Sequence, residues 1–161
     1  MSNARLSPAQ TERRRFLATR AWELLHLCLV VDARNETSVM ALYRGHYLHI
    51  GFDMDRGIMT IHLVKTLQYP NNDIKRKLLN HLNTDSVLGS HAIQDEMGCY
   101  IYRSVFWLEN ELTSQRLLEV LDCCIEEADQ GIELLEKQEE CMRKREDGRY
   151  KIFNKNFRET K

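Results

Sequence analysis

The chain has 161 residues, enough to bury one ordinary core without staples, and its 43% hydrophobic and 29% charged residues are the balance of a soluble globular protein. No stretch approaches the roughly 18 apolar residues of a membrane span, and the opening residues, MSNARLSPAQ, lack the apolar centre of a secretory signal. The net charge of -1 is unevenly spread: from Arg143 onward 8 Lys/Arg face 3 Asp/Glu, which leaves 15 and 21 of the totals of 23 and 24 for the acidic body before it.

Ser7-Pro8-Ala9-Gln10 predicts a helix start, with Ser7 as cap, Pro8 at the first helical position and Gln10 closing a capping box. Leu17, Ala21, Leu24, Leu25 and Cys28 recur at helical spacing, so the first helix runs from about Pro8 to about Leu27. Its opposite face carries Arg13, Arg14 and Arg20, which reads as a solvated face or, alternatively, a phosphate-binding patch. Leu29 to Ala33 is either a short strand or the end of that helix. Val39 to Tyr43 reads as a strand that Arg44-Gly45 turns into the next.

Tyr43 to Thr66, YRGHYLHIGFDMDRGIMTIHLVKT, is the organising stretch, a β-hairpin turning at Asp55-Arg56 with Gly57 supplying turn geometry. That register sets His49 opposite His62, Tyr47 opposite Val64, Leu48 opposite Leu63 and Ile50 opposite Ile61. Alternation places Leu48, Ile50, Phe52, Met59, Ile61 and Leu63 on one apolar face that must meet the core. Tyr47, His49, Gly51, Ile58, Thr60, His62 and Val64 fall on the other face, half polar and half apolar.

Asn71 or Asn72 can cap a short second helix, in which Ile74, Leu78 and Leu82 stack and which ends near Asn83. Lys75-Arg76-Lys77 reads as a solvent-facing charge run. Leu88 to Asp95 is strand-like, and Gly98 takes the left-handed position of a turn. Cys99 to Leu108, CYIYRSVFWL, is the strongest strand in the chain, with His91 placed opposite Arg103. Tyr100, Tyr102, Phe106 and Leu108 share one face; Cys99, Ile101, Arg103, Val105 and Trp107 share the other. Neither is a water face, so this strand is covered twice, by its own chain or by another molecule.

Thr113 or Ser114 caps the last helix, whose stripe of Leu117, Leu121, Cys124, Ala128 and Leu135 is widened by Leu118, Ile125 and Ile132. It runs to about Arg145, Asp147-Gly148 ends it, and residues 147–161 form a basic aromatic tail after a single domain of residues 1–146. The fold class is therefore α+β: a five-stranded antiparallel sheet with helices packed on one face, in the order α-β-β-β-α-β-β-α with a long C-terminal helix.

The sequence offers little chemistry. A His49/His62 pair across a ladder supplies two imidazoles, and a third ligand such as His46 or Cys99 has no support from the spacing. Ser90 and His91 are strand neighbours and alternate to opposite faces. No G-x-S-x-G, P-loop, dinucleotide fingerprint or EF-hand occurs. Asp53, Asp55, Asp95 and Glu96 sit where turns favour acidic residues. Cys28, Cys99, Cys123, Cys124 and Cys141 are odd in number without C-x-x-C, which reads as reduced thiols and suits the cytoplasm. The acidic body argues against nucleic acid. We expect no catalytic residues, cofactor or metal.

The residues from Leu82 to Ala128 carry a resemblance. Leu82-Asn83 ends a helix, Gly89 opens a strand, Asp95-x-x-Gly98 forms the hairpin, Tyr102-Arg103-Ser104 follows, and Leu112-Thr113 starts the last helix. This resembles the YbjN-domain pattern, and the element order is similar to that of class I type III secretion chaperones of the CesT/Tir-chaperone kind, over residues about 10 to 136. Tyr43-Arg44-Gly45 and Leu48-His49-Ile50 fit as well. The long terminal helix and basic tail depart from the pattern. The resemblance implies a small cytoplasmic protein, often dimeric, without catalytic residues; the chaperones hold an extended segment of a secreted protein.

The resulting expectation is a non-enzymatic, homodimeric binding protein. Its partner surface comprises Tyr47, His49, His62, Val64, Ile101, Arg103, Val105 and Trp107, covered by a second subunit or a client segment. One alternative is a regulator whose basic tail contacts protein or nucleic acid. Another is a small-molecule or metal-dependent enzyme around His49 and His62.

Overall fold

Period-two alternation in the middle of the chain and period-3.6 stripes at its ends build a sheet backed by helices. The computed structural model describes residues 7–67, 73–94 and 96–158. The order is α1 (Pro8–Cys28), β1 (Val30–Arg34), β2 (Ser38–Tyr43), β3 (His46–Asp53), β4 (Ile58–Thr66), α2 (Asp73–Asp85), β5 (Gly89–Gln94), β6 (Cys99–Trp107) and α3 (Ser114–Arg158). The stretch left open after the first helix is a strand, so the antiparallel sheet has six strands in the order β1-β2-β3-β4-β6-β5. The sequence otherwise reads correctly: a helix, a meander, a helix, a hairpin, and a long helix.

The hairpin register is the expected one, with Leu48 paired to Leu63, His49 to His62 and Ile50 to Ile61. One face of the sheet is consequently sealed. Leu48, Ile50, Met59, Ile61, Leu63, Tyr100 and Tyr102 are buried there against Leu17, Ala18, Ala21 and Leu25 of α1 and Leu117, Leu121, Cys124, Ala128 and Leu135 of α3. Each fully buried aliphatic side chain contributes about 2 kcal/mol, so this one interface dominates the stability.

The helix starts follow local chemistry. Ser7 Oγ accepts from the Gln10 amide at 3.3 Å while the Ser7 amide donates to Gln10 Oε1 at 2.9 Å, completing the capping box. Thr113 is the α3 cap, its Oγ1 accepting from the Arg116 amide at 3.2 Å. Gly57 and Gly98 take the positive φ their turns require, 64° and 62°. Asn71, Asn72 and Asp95 lie outside the described residues.

Three expectations change. His91 pairs with Tyr102, and Ser90 with Arg103, because the strands end at Gln94 and resume at Cys99, one residue off the expected turn. Lys75 is buried, whereas Arg76 and Lys77 are exposed. The inward face of α2 passes through positions 75 and 79, four apart, and carries Lys75 beside Leu79. Finally, α3 does not stop at Asp147-Gly148 but continues to Arg158. One glycine inside a run of good helix formers costs about 1 kcal/mol, which is too little to end a helix. At 1.5 Å per residue α3 is about 68 Å long.

Candidate protein-binding face

The outer face of the sheet collects every residue expected at the partner surface. The strands that carry them, β3, β4 and β6, are neighbours at the centre of the sheet. His49, His62, Arg103 and Ser90 form one continuous rung, since His49 pairs with His62, His62 with Arg103, and Arg103 with Ser90. Apolar rungs flank it. On one side Val64 pairs with Ile101 and Tyr47 with Leu42; on the other Thr60 pairs with Val105 and Ile58 with Trp107. From the rung of Ile101 to that of Trp107 the strip spans about 20 Å at 3.3 Å per residue.

This strip is open. Trp107 is 61% exposed, Tyr47 59%, Val64 46% and Val105 44%; Arg103 is exposed as well, and His49, His62 and Ile101 are half-buried. Leu42, also exposed, belongs to the same surface and was missed in the sequence, where no face was assigned to its strand. The signal was present: a two-residue turn at Arg44-Gly45 sets Leu42 opposite Tyr47, and paired residues share a face. Apolar side chains contiguous on a regular sheet face mark an interaction surface, whereas scattered ones do not.

At the β5 edge a hollow of about 380 Å³ is lined by Val87, Leu88, Gly89, Ser90, Arg103 and Val105. Its rim is held from beneath by Glu127 on α3. Glu127 Oε1 accepts from the Val87 amide at 2.7 Å and from Ser86 Oγ at 2.9 Å, the Leu88 amide reaches both carboxylate oxygens at 3.3 Å, and Tyr102 Oη donates to Oε2 at 2.5 Å. Burial works to raise the Glu127 pKa, but the donors from Tyr102, Val87, Ser86 and Leu88 outweigh it and hold the carboxyl below its ordinary value. The core thus positions a loop of the outer face.

The histidines are structural in their surroundings. The His49 and His62 rings lie 5.6 Å apart, and His62 Nε2 is buried without a hydrogen-bond partner. Burial, then the His49 and Arg103 charges, lower the His62 pKa. His46 faces Asp129 at 3.3 Å and the Cys99 thiol donates to Met97 O at 3.2 Å, so neither joins the pair. Among the described residues no group of three His, Cys, Asp or Glu is placed to hold a metal. His91 is buried, with Nδ1 2.6 Å from Tyr100 Oη. Burial lowers its pKa and the Glu127 charge opposes this. Cys124 is pushed up to about 11 by burial, which keeps it a thiol and a poor nucleophile.

A pH dependence follows. His62 and His91 both titrate below the ordinary 6.5 in the folded chain. Below that value the unfolded chain takes up protons that the folded chain resists. Their contribution is therefore complete above 6.5 and is lost as pH falls toward the folded values. Denaturant midpoints measured between about pH 7.5 and pH 5 should fall with acidification, since the unfolded state binds more protons in that window. A flat profile would show that the two rings are not desolvated.

Comparison with known proteins adds the architecture. No protein-family model and no curated protein matches the chain. A chain of the solved HopA1–SchA chaperone–effector complex superposes with a TM-score of 0.52 at 14% identity, over 80% of this chain and 99% of that one. A chain of the ExsC–ExsE complex gives a TM-score of 0.47 at 14% identity, over 77% and 93%. The fold is shared with a chain of a chaperone–effector complex. The likeness is one of fold, and no comparison matched the YbjN pattern. No helix among the described residues is long and apolar enough to cross a membrane.

Proposed function

We propose that the protein is a non-enzymatic, chaperone-like binding module that holds an extended segment of another polypeptide across the outer face of its sheet, and that it works as a homodimer. The single observation that carries this reading is the open strip in which Tyr47 and Val64 on one side and Val105 and Trp107 on the other flank the polar rung, on a face that the described residues leave uncovered. Such a strip suits alternate side chains of an extended client, whose backbone could also pair with a free strand edge at β5 or β1. The fold shared with a chain of the HopA1–SchA chaperone–effector complex supports the same reading. Under it residues 1–146 form the binding domain, and the basic residues from 147 onward are an appendage.

The test is Trp107→Ala. Trp107 is mostly exposed in the single chain, so the variant should keep the parental melting temperature. As the largest anchor of a buried contact it should cost on the order of 2 kcal/mol of association, roughly thirtyfold in Kd. Sedimentation reads dimerisation and calorimetry reads client binding. A variant that dimerises and binds as the parent does would remove the proposal. Deleting Arg149 to Lys161 should leave client binding unchanged; loss of a steeply salt-dependent interaction would instead favour a tail-driven contact.

A further inference from the structure

A second hollow, of about 250 Å³, opens between α1 and the β3–β4 turn, next to the end of the strip where Trp107 stands. Leu17 and Leu108, both buried, contribute to its lining, and Arg13, Arg14 and Arg56 supply three guanidinium groups against the single carboxylate of Glu109. An acidic body has collected cations at one point.

The arrangement is built. A Cβ on Gly57 would lie 3.1 Å from Arg14 Cβ and Cγ, so the base of the Arg14 side chain packs closely over the glycine. The neighbouring Arg15 ties the helix to the turn, with Nη2 at 2.6 Å and Nε at 2.8 Å from Asp55 Oδ1. Arg56 stands 3.5 Å from Asp53, exposed, in a contact a better carboxylate can replace. Among the described residues Arg13 and Arg14 have no carboxylate partner. Arg20, read in the sequence with Arg13 and Arg14 as one patch, is occupied elsewhere by Glu23 and Glu111.

We propose that this hollow receives an acidic side chain of the polypeptide held on the outer face, and so selects clients that carry a short acidic run beside their apolar residues. Charge complementarity and continuity decide the occupant. Trp107 belongs to both surfaces, so a segment lying along β6 is delivered to the arginines as it leaves the sheet. Planar guanidinium groups match carboxylates in paired hydrogen bonds. Arg103 in the polar rung, exposed on the outer face, adds a guanidinium of the same sign. The inference rests on the outer face being a protein-binding surface.

The experiment is selection from a displayed library of random peptides on the full chain. Anisotropy titration of the enriched, fluorescein-labelled peptide then compares parent with an Arg13→Gln/Arg56→Gln variant, both side chains being exposed and outside the core. The expected result is enrichment of Asp and Glu beside apolar residues, with affinity about tenfold weaker in the variant and falling steeply with salt, as loss of charge-assisted hydrogen bonds requires. Enriched peptides that are apolar without acidic residues would overturn this inference and leave the outer-face reading standing. The inference falls in the same way if acidic enrichment and affinity are unchanged in the variant, or if inorganic phosphate binds the hollow while peptides show no acidic preference. Failure to enrich any peptide would overturn both.

Discussion

A Gly89→Ala variant should lose on the order of 3 kcal/mol of stability, because overpacking against a fixed neighbour costs about 1 to 3 kcal/mol and an orphaned hydroxyl adds a similar amount. Gly89 opens β5 and pairs with Ser104. A methyl group there would lie 2.6 Å from the Arg103 carbonyl oxygen and 2.6 Å from Tyr102 Oη, and closer still to Tyr102 Cζ. Neither neighbour can yield cheaply. The carbonyl belongs to the backbone of β6, held between β4 and β5, and the Tyr102 ring is fully buried with its hydroxyl committed to Glu127. Moving the ring orphans that hydroxyl; moving the strand breaks the β5–β6 ladder. Either response also disturbs the hollow beside Val105 and Arg103, so under the proposed function client binding should weaken together with the melting temperature. A variant with a denaturant midpoint equal to the parent's would show that Tyr102 does not lie over the start of β5.

The hairpin was legible from its sequence because one face of it is unbroken apolar surface. A one-residue slip would have exposed Leu48, Ile50, Ile61 and Leu63 together, so only one register was tolerable. The two faces of β6 follow from the same restriction. Between β5 and β6 that discipline is absent. Residues 89–94 have no strong alternation, so nothing local chose between pairing His91 with Arg103 or with Tyr102. The choice is made by the core, where His91 meets Tyr100, and by Asn83, whose side chain bonds both the amide and the carbonyl of His91 at 2.6 and 2.9 Å. Lys75 escaped for a related reason: a lysine counts as polar in any pattern, and only the packing of α2 reveals that it points inward. The candidate face was readable in its membership, since alternation alone lists Tyr47, His49, His62, Val64, Ile101, Arg103, Val105 and Trp107. Its edges were not. The hollow at Val87–Ser90 and the arginine hollow each join residues from segments far apart in the chain, and no spacing rule connects Arg13 to Arg56.

Replacing Glu127 by alanine should cost on the order of 3 kcal/mol, because it leaves the buried Tyr102 phenol without its acceptor at about 1 to 3 kcal/mol and also releases the loop amides. The carboxylate serves the Val87 and Leu88 amides, Ser86 Oγ and Tyr102 Oη at once. Ser86 Oγ also donates to Gly89 O at 2.7 Å and can survive the change. The two exposed amides can turn to water, whereas the buried phenol loses its carboxylate partner. Loop 86–88 should then detach from α3, and hydrogen exchange at Val87 and Leu88 should accelerate more than exchange in β3 or β4. Glu127→Gln keeps one acceptor oxygen and should fall between parent and Glu127→Ala. The pH profile supplies an independent reading. The folded carboxyl titrates below its ordinary 4.5, so its contribution is complete above 4.5 and is lost as pH falls through the folded value. The parent should therefore lose stability on acidification in that range, and Glu127→Ala should lose less because the responsible group is gone. An alanine variant with parental exchange at Val87 and Leu88 and an unchanged acid limb would mean that the loop is held by something other than this carboxylate, and the link from the α3 core to the outer face would fail.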